Sequence, residues 1–248
     1  MKIAAIIPAR YGSTRFPAKP LALIKGRPMI QWTYESTAKC ADFDTVAVAT
    51  DDQRIHDAVV SFGGRAVMTS QQCRTGTDRI YEAIQGIDAD LIVNVQGDEP
   101  LIPAEVLHQL VVKMRDSQAD MGTVAVPFGI SGRDPADANA VKVVLDNRGF
   151  ALYFSRARIP FLRDGGQSCE PLLHWGLYAY TRDFLGEFVK WPTGRLEACE
   201  KLEQLRALEN GARICVLVAG ERTADVDVPG DIARVEALLD QRRSSGRA

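Results

Sequence analysis

Arg10, Arg15 and Lys19 crowd into one polar stretch between Pro8 and Pro20, interleaved with Gly12, Ser13 and Thr14. Arginine and lysine supply fixed positive charge, hydroxyls supply donors, and glycine lets the backbone approach a ligand closely. The set suits anionic oxygens, those of a phosphate chain above all. The plain alternative is a solubilising surface loop. Placement favours the first reading, because the apolar run Ile3–Ile7 ends just before this loop. Loops that follow the strands of an open α/β sheet are where ligands collect. A second group follows another apolar run: Asn94-Val95-Gln96-Gly97-Asp98-Glu99-Pro100. Asp98, delivered beyond a glycine turn, could hold Mg²⁺ or could cap the next helix. Asp225, Asp227 and Asp231 offer further carboxylates late in the chain. Thr75-Gly76-Thr77-Asp78-Arg79 could read a base edge, or serve as a helix cap, and the two roles are compatible.

These groups need elements to hold them. Ile3–Ile7, Thr45–Ala49, Ala66–Met68, Leu91–Val95 and Met121–Val126 are apolar runs of buried-strand length. Between them, Met29–Cys40, the stretch from Asp52 to about Phe62, Thr75–Ile84 and Pro103–Met114 read as helices. Gly63-Gly64 closes the second of these. Such alternation predicts a parallel sheet with crossover helices. The rhythm changes after Pro127. Ala140–Leu145, Ala151–Phe154 and Gly176–Tyr180 read as strands, with a hairpin turn at Asp146–Gly149. Residues 156–171 read as a long loop, Arg182–Val189 and Leu196–Leu208 as helices, Ile214–Val218 as a late strand, and Pro229–Asp240 as a closing helix. Along the 196–208 helix, Glu197, Glu200 and Gln204 share one face, either solvated or turned toward a polyhydroxylated ligand. The expected fold is α/β, with a mostly parallel central sheet, helices on both faces and an antiparallel excursion over about residues 128–180. We read residues 1–248 as one domain, with 1–127 and 205–241 as its core and 128–204 as a lobe.

Several classes are excluded. The chain has 248 residues, 46% hydrophobic and 25% charged, with a net charge of −2. That balance gives no reason to expect binding to nucleic acid or to a membrane. GxxxxGK[ST] is absent, as are GxGxxG after the first strand and a serine nucleophile elbow. Five cysteines without CxxC spacing argue for free thiols in a reducing cytosol. The first apolar run is too short for a signal-peptide core, and no stretch approaches a membrane span, so a cytoplasmic protein is expected.

Six separated blocks, in order, resemble the 3-deoxy-manno-octulosonate cytidylyltransferase (CMP-Kdo synthetase) family. They are Pro8–Leu21, Thr75–Arg79, Asn94–Pro100, the pair Asn139–Val144 and Tyr153–Ala157, His174–Tyr180 with Leu196–Arg206, and Ala224–Asp231. Gly230 departs from the pattern, standing where an acidic residue is frequent, and Arg74 departs as well. The resemblance implies a nucleotide-diphospho-sugar transferase-like three-layer fold and a homodimer. It implies transfer of CMP from CTP to a 3-deoxy sugar acid, activating 3-deoxy-D-manno-octulosonate (Kdo) for lipopolysaccharide synthesis. Carried over onto this chain, Pro8, Ala9, Arg10, Gly12, Ser13, Arg15 and Lys19 hold the triphosphate, and Thr75, Gly76, Thr77 and Arg79 lie beside the cytosine. Asp98 and Asp227 bind Mg²⁺, and with Arg10 and Lys19 they form the catalytic set. Gln96, Arg156, His174, Tyr178, Glu200 and Gln204 receive the acid, with Arg156 clamping its carboxylate. Related acceptors, such as 8-amino-Kdo or a sialic-acid-like nonulosonate, stay open, as does a non-catalytic nucleotide binder on the same fold.

Overall fold

The computed structural model of the chain describes residues 1–12, 16–161, 163 and 170–244. The chain forms two compact units, residues 1–108 with 223–248, and residues 109–222.

The first unit opens with β1 (Ile3–Ala9), then a hairpin of β2 (Leu23–Ile24) and β3 (Arg27–Pro28), and α1 (Met29–Ala38). β4 (Thr45–Thr50), α2 (Gln53–Ser61), β5 (Ala66–Met68), α3 (Gly76–Ala83) and β6 (Leu91–Asn94) follow. α4 (Ala104–Ser117) carries the chain into the second unit. Within the first unit the strands lie in the order β6-β1-β4-β5, every pair parallel. Parallel strands are covered on both faces, so their sequences are unbroken apolar runs rather than alternating ones. β1 shows this: Ile3, Ile6 and Ile7 are all buried. Ala9 pairs with Thr50 and Ile6 with Asn94, which sets the loops after β1, β4 and β6 along one edge. The β2–β3 hairpin was not expected. Its strands have two residues each, and the turn Lys25-Gly26 has positive φ at both positions (49° and 77°).

In the second unit, β7 (Met121–Pro127) leads through α5 (Phe128–Ser131) to β8 (Lys142–Leu145), β9 (Ala151–Ser155) and β10 (Leu172–Thr181). α6 (Arg182–Phe188), α7 (Arg195–Glu200), α8 (Gln204–Glu209) and β11 (Ile214–Val218) complete it. β11 runs parallel to β7, and β10 runs antiparallel to it. β8 pairs antiparallel with β10 and with β9. The expected hairpin turn is present. Asp146 accepts the N–H groups of Arg148 (2.8 Å) and Phe150 (2.9 Å), and Gly149 takes φ 83°. Phe154, Trp175, Tyr180 and Phe188 are all fully buried, and Tyr180 and Phe188 pack ring to ring (6.3 Å between centroids). Two expectations are corrected. β10 is longer than Gly176–Tyr180 and bulges between Trp175 and Tyr178. The expected 196–208 helix is two helices, broken where Lys201 adopts a left-handed conformation (φ 54°).

The closing helix α9 (Asp231–Ser244) returns to the first unit. Its Val235 and Leu239 share an apolar cluster with Ile24, Met29, Leu101 and Val226. Glu236 accepts the Lys25 N–H (2.7 Å), and Asp240 pairs with the Lys25 ammonium (2.8 Å). The α/β class read from the sequence is borne out. Cys40, Cys73, Cys199 and Cys215 are free thiols. Among the described residues no helix is long and apolar enough to cross a membrane.

Candidate active site

A cavity of about 330 Å³ opens in the first unit where the loops after β1 and β6 meet the start of α3. β1 contributes Pro8 and Ala9, with Arg10 beyond its end; the 3₁₀ turn Lys19–Leu21 contributes Lys19 and Pro20. The approach to α3 contributes Cys73, Arg74, Thr75 and Gly76, and α3 itself adds Arg79. Gln96, Gly97 and Asp98 follow β6. Gly97 is required by close approach: a Cβ there would stand 3.1 Å from the Pro8 carbonyl oxygen. The Thr33 hydroxyl holds the same turn, donating to the Gly97 carbonyl (3.2 Å).

Lys19 is the hub of the site. Its Nζ donates to Asp98 Oδ2 and to the Val226 carbonyl, both at 2.7 Å, and lies 3.9 Å from Asp227 Oδ1. The segment bearing Asp227 is fastened twice. Val226 N–H donates to the Asp98 carbonyl (3.0 Å), and Asp231 accepts the Asp227 and Val228 N–H groups (2.8 and 3.0 Å). Burial seats it further: Val226 and Phe16, from the end of the first loop, pack into the same apolar cluster. Asp225 is engaged elsewhere, by Arg234 (3.4 Å). Two carboxylates facing one ammonium form an oxygen donor set of the kind Mg²⁺ takes. Among the described residues no group of three or more His, Cys, Asp or Glu converges as a metal site.

α3 starts with a capping box: Thr75 Oγ1 accepts the Asp78 N–H (3.1 Å), and Asp78 accepts the Thr75 N–H (3.1 Å). Arg79, almost wholly buried, donates to Thr69 Oγ1 (2.6 Å) and Asp51 Oδ2 (2.8 Å). It thereby ties α3 to the residues just beyond β4 and β5. The wall beside it is held by Glu82, which accepts the Ser70 N–H (2.7 Å) and the Cys73 thiol (3.2 Å). Burial and the Glu82 carboxylate push the Cys73 thiol up to about 11.

The second unit holds a separate polar cluster. Thr123 Oγ1 donates to the Leu177 carbonyl (2.7 Å), so it accepts from His174 Nε2–H (3.0 Å). His174 is neutral, its pKa pushed down to about 3 by burial and the nearby Arg222. Its ring stands edge-on to Phe154 (5.0 Å) and beside Tyr178 (5.5 Å). The Tyr178 hydroxyl donates to Gln204 Oε1 (3.2 Å), and burial near Glu203 holds its pKa well above the usual phenol range. Gln204 Nε2 is buried without a hydrogen-bond partner among the described residues.

Nearby in the chain, Glu200 accepts the Ser155 hydroxyl (2.6 Å) and the Arg156 N–H (2.9 Å). The Arg156 guanidinium is oriented by backbone carbonyls: Nε donates to Glu200 (2.7 Å), Nη1 to Ala138 (3.0 Å) and Nη2 to Lys201 (3.5 Å). Lys142, wholly buried, donates to the Arg156 and Asp137 carbonyls (2.5 and 3.0 Å), and desolvation lowers its pKa. Gln204 does not continue the face of Glu197 and Glu200, because the helix that carries those two ends at Lys201, and Glu197 and Glu200 themselves take different partners. Glu197 forms a buried fork with Arg206 (2.6 and 2.8 Å). Burial alone would raise the Glu197 carboxyl, yet the Arg206 bonds hold it below the usual range.

A family model described as Cytidylyltransferase matches residues 4–214. The chain belongs to the cytidylyltransferase family. It is 52% identical to a 3-deoxy-manno-octulosonate cytidylyltransferase from Desulfatibacillum aliphaticivorans, over 96% of this chain and 99% of that protein. An 8-amino-3,8-dideoxy-manno-octulosonate cytidylyltransferase from Shewanella pealeana is 51% identical over 96% of this chain and 99% of that one. The solved structure of CMP:2-keto-3-deoxy-manno-octonic acid synthetase complexed with CTP is 40% identical. It superimposes with a TM-score of 0.93, over 98% of this chain and 100% of that one. The resemblance read from the six sequence blocks is borne out.

Within this cytidylyltransferase-family chain, one cavity gathers Pro8, Ala9, Arg10, Lys19, Thr75, Gly76, Arg79, Gln96 and Asp98. Asp227 joins them through Lys19. Thr77 is buried within α3, and Gly12 is exposed. Ser13 and Arg15 lie outside the described residues. In the second unit His174, Tyr178 and Gln204 are neighbours, and Arg156 and Glu200 form a pair of their own. Sequence reasoning passed over Cys73, Pro20 and Met29 in the cavity wall and Thr123 beneath His174. Cys73 stands next to the Arg74–Arg79 stretch, a proximity that could have flagged it. Thr123 sits inside an apolar strand and carries no such signal.

Proposed function

We propose that this chain transfers CMP from CTP to Kdo, releasing pyrophosphate, and so activates the acid for lipopolysaccharide synthesis. One coincidence carries the reading. A cavity holding Arg10, Lys19 and Asp98 lies at the strand-end loops of a chain 52% identical to a protein named for that reaction. In the reaction the anomeric hydroxyl oxygen bonds to the α-phosphorus as the bond to pyrophosphate breaks, and the hydroxyl proton leaves to solvent. Arg10, Arg15 and Lys19 neutralise the triphosphate and the charge gathering on pyrophosphate, and Gly12 and Ser13 of the same loop bind it through uncharged donors. Lys19 then exchanges its Asp98 contact for phosphate oxygens. Asp98 and Asp227 are the residues to hold Mg²⁺, which when bound neutralises phosphate charge and polarises the α-phosphate.

Thr75, Gly76, Thr77 and Arg79 frame the cytosine, as a cap whose geometry is fixed before the nucleotide arrives. In the second unit, the acid is assigned to His174, Tyr178 and Gln204. The buried Gln204 Nε2 supports this, since it has no protein partner among the described residues and is open to an oxygen of the acid. Arg156 and Glu200 shape the same unit through their clasp with the backbone. We place the protein in the cytoplasm as a homodimer, which sedimentation at twice the 27.2 kDa chain mass would test.

The deciding experiment measures pyrophosphate release from each nucleoside triphosphate against a panel of 3-deoxy ulosonic acids. Turnover with CTP and Kdo is expected, and turnover only with another nucleotide, or none, overturns the reading. The 51% identity to an 8-amino-3,8-dideoxy-manno-octulosonate cytidylyltransferase favours that acid as the second acceptor, and the same panel ranks the two.

A further inference from the structure

The start of α2 lies outside the cavity wall, yet it grips the phosphate loop. Asp52 caps α2 by accepting the Arg54 N–H (3.0 Å), and its two oxygens take Arg54 Nε (2.9 Å) and Nη2 (2.6 Å). A bidentate pair of this kind fixes the plane of the guanidinium as well as its position. That plane lies over the Tyr11 ring, with Cζ 3.4 Å from the ring centroid. Tyr11 is in turn bonded to the residue before Lys19, because its carbonyl accepts the Ala18 N–H (3.0 Å). Arg10, next to Tyr11, and Lys19, next to Ala18, both line the cavity.

We propose that Arg54, oriented by Asp52, is a positioning residue that holds Tyr11, and with it the neighbouring Arg10 and, through the Tyr11–Ala18 bond, Lys19, in place for nucleotide binding. The proposal rests on the reading of the cavity as the CTP site. A merely structural surface pair would behave otherwise. Arg54 is exposed, and deleting an exposed pair costs stability but leaves the affinity for a ligand elsewhere unchanged. A guanidinium stacked on an aromatic ring is also poorly replaced by lysine, which keeps the charge but not the flat face.

The test compares CTP binding by calorimetry and steady-state kinetics for the wild-type chain, Arg54→Ala, Arg54→Lys, Tyr11→Phe, Tyr11→Ala and the Arg54→Ala/Tyr11→Ala double variant. Arg54→Ala and Arg54→Lys should both raise the Kd and KM for CTP roughly three- to tenfold, with the KM for the acid unchanged. Tyr11→Phe keeps the ring and should match the wild type. The double variant should be no worse than the poorer single one, as coupled residues require. Wild-type CTP affinity in both Arg54 variants, or strictly additive losses in the double variant, would overturn the proposal. Should the wild-type chain itself fail to bind CTP, the reading of the cavity falls first and this proposal with it.

Discussion

The backbone N–H of Val226 donates to the carbonyl oxygen of Asp98 at 3.0 Å. This one bond joins the loop after β6 to the segment before α9, and it sets Asp227 within 3.9 Å of the Lys19 ammonium that Asp98 already holds. Carboxylates far apart in sequence therefore face one cation because their backbones are hydrogen-bonded neighbours.

Asp227 and Asp225 should consequently part company on substitution. Asp227→Asn removes a carboxylate from the Lys19 cluster and should lower kcat by roughly a hundredfold or more. Asp225→Asn touches a carboxylate that pairs with Arg234 rather than with Lys19, and should stay within about twofold of the wild type. Steady-state pyrophosphate release with CTP and Kdo measures both, and equal losses would contradict the assignment.

Gly97→Ala probes the closeness of two loops. The added methyl would sit 3.1 Å from the Pro8 carbonyl oxygen, a backbone atom with little freedom to retreat. Asp98 follows directly, so displacement of the turn moves a carboxylate of the site. We expect kcat/KM to fall about tenfold or more, with a stability loss of about 1–3 kcal/mol. Urea unfolding and kinetics on the same preparation separate the two effects.

Arg79 and Asp51 make a largely buried ion pair, with side-chain exposures of 5% and 19%. Asp51→Asn would leave the guanidinium without its counter-charge and should destabilise the chain by about 3 kcal/mol. Because Arg79 also lines the cavity, the affinity for CTP should fall with it. Denaturant midpoints and CTP titration provide the measurements.

His174 predicts a pH dependence. Its pKa is about 3 in the folded chain, against about 6.5 when unfolded. Between those values the unfolded chain binds the additional proton, so this contribution to stability is complete above about pH 6.5 and declines as pH falls toward 3. His174→Gln should flatten the slope of stability against pH by up to about 1.4 kcal/mol per pH unit inside that window and leave it unchanged above. Chemical denaturation between pH 4 and 8 tests this.

Much of this was legible in the sequence. Unbroken apolar runs such as Ile3–Ile7 announce covered parallel strands, and the Asp52 cap and Gly63 mark where α2 begins and ends. The carboxylate and cation motifs located the cavity lining, because each sits directly after a strand or before a helix. Other features had no local signal. Lys201 breaks a helix with a residue that ordinarily favours one, and the contacts on either side of the break are tertiary: Glu197 meets Arg206 and Gln204 meets Tyr178. Arg156 reads as a carboxylate clamp in the sequence, and only the folded backbone reveals the three carbonyls that orient its guanidinium. Two-residue strands such as β2 and β3 are too short to leave a periodic pattern.

The lateness of Asp227 has a consequence for synthesis. As the chain leaves the ribosome, β1, β4, β5 and β6 emerge with Lys19 and Asp98 long before the second carboxylate does. Until Val226 arrives, the Lys19 ammonium lacks one carbonyl partner, and Phe16 lacks a neighbour from its apolar cluster. A nascent chain halted in the second unit would own most of its cavity wall and only half of its carboxylate pair. Completion of the site thus waits until Val226 and Asp227 have been translated, and a chain halted before them cannot hold both carboxylates about Lys19.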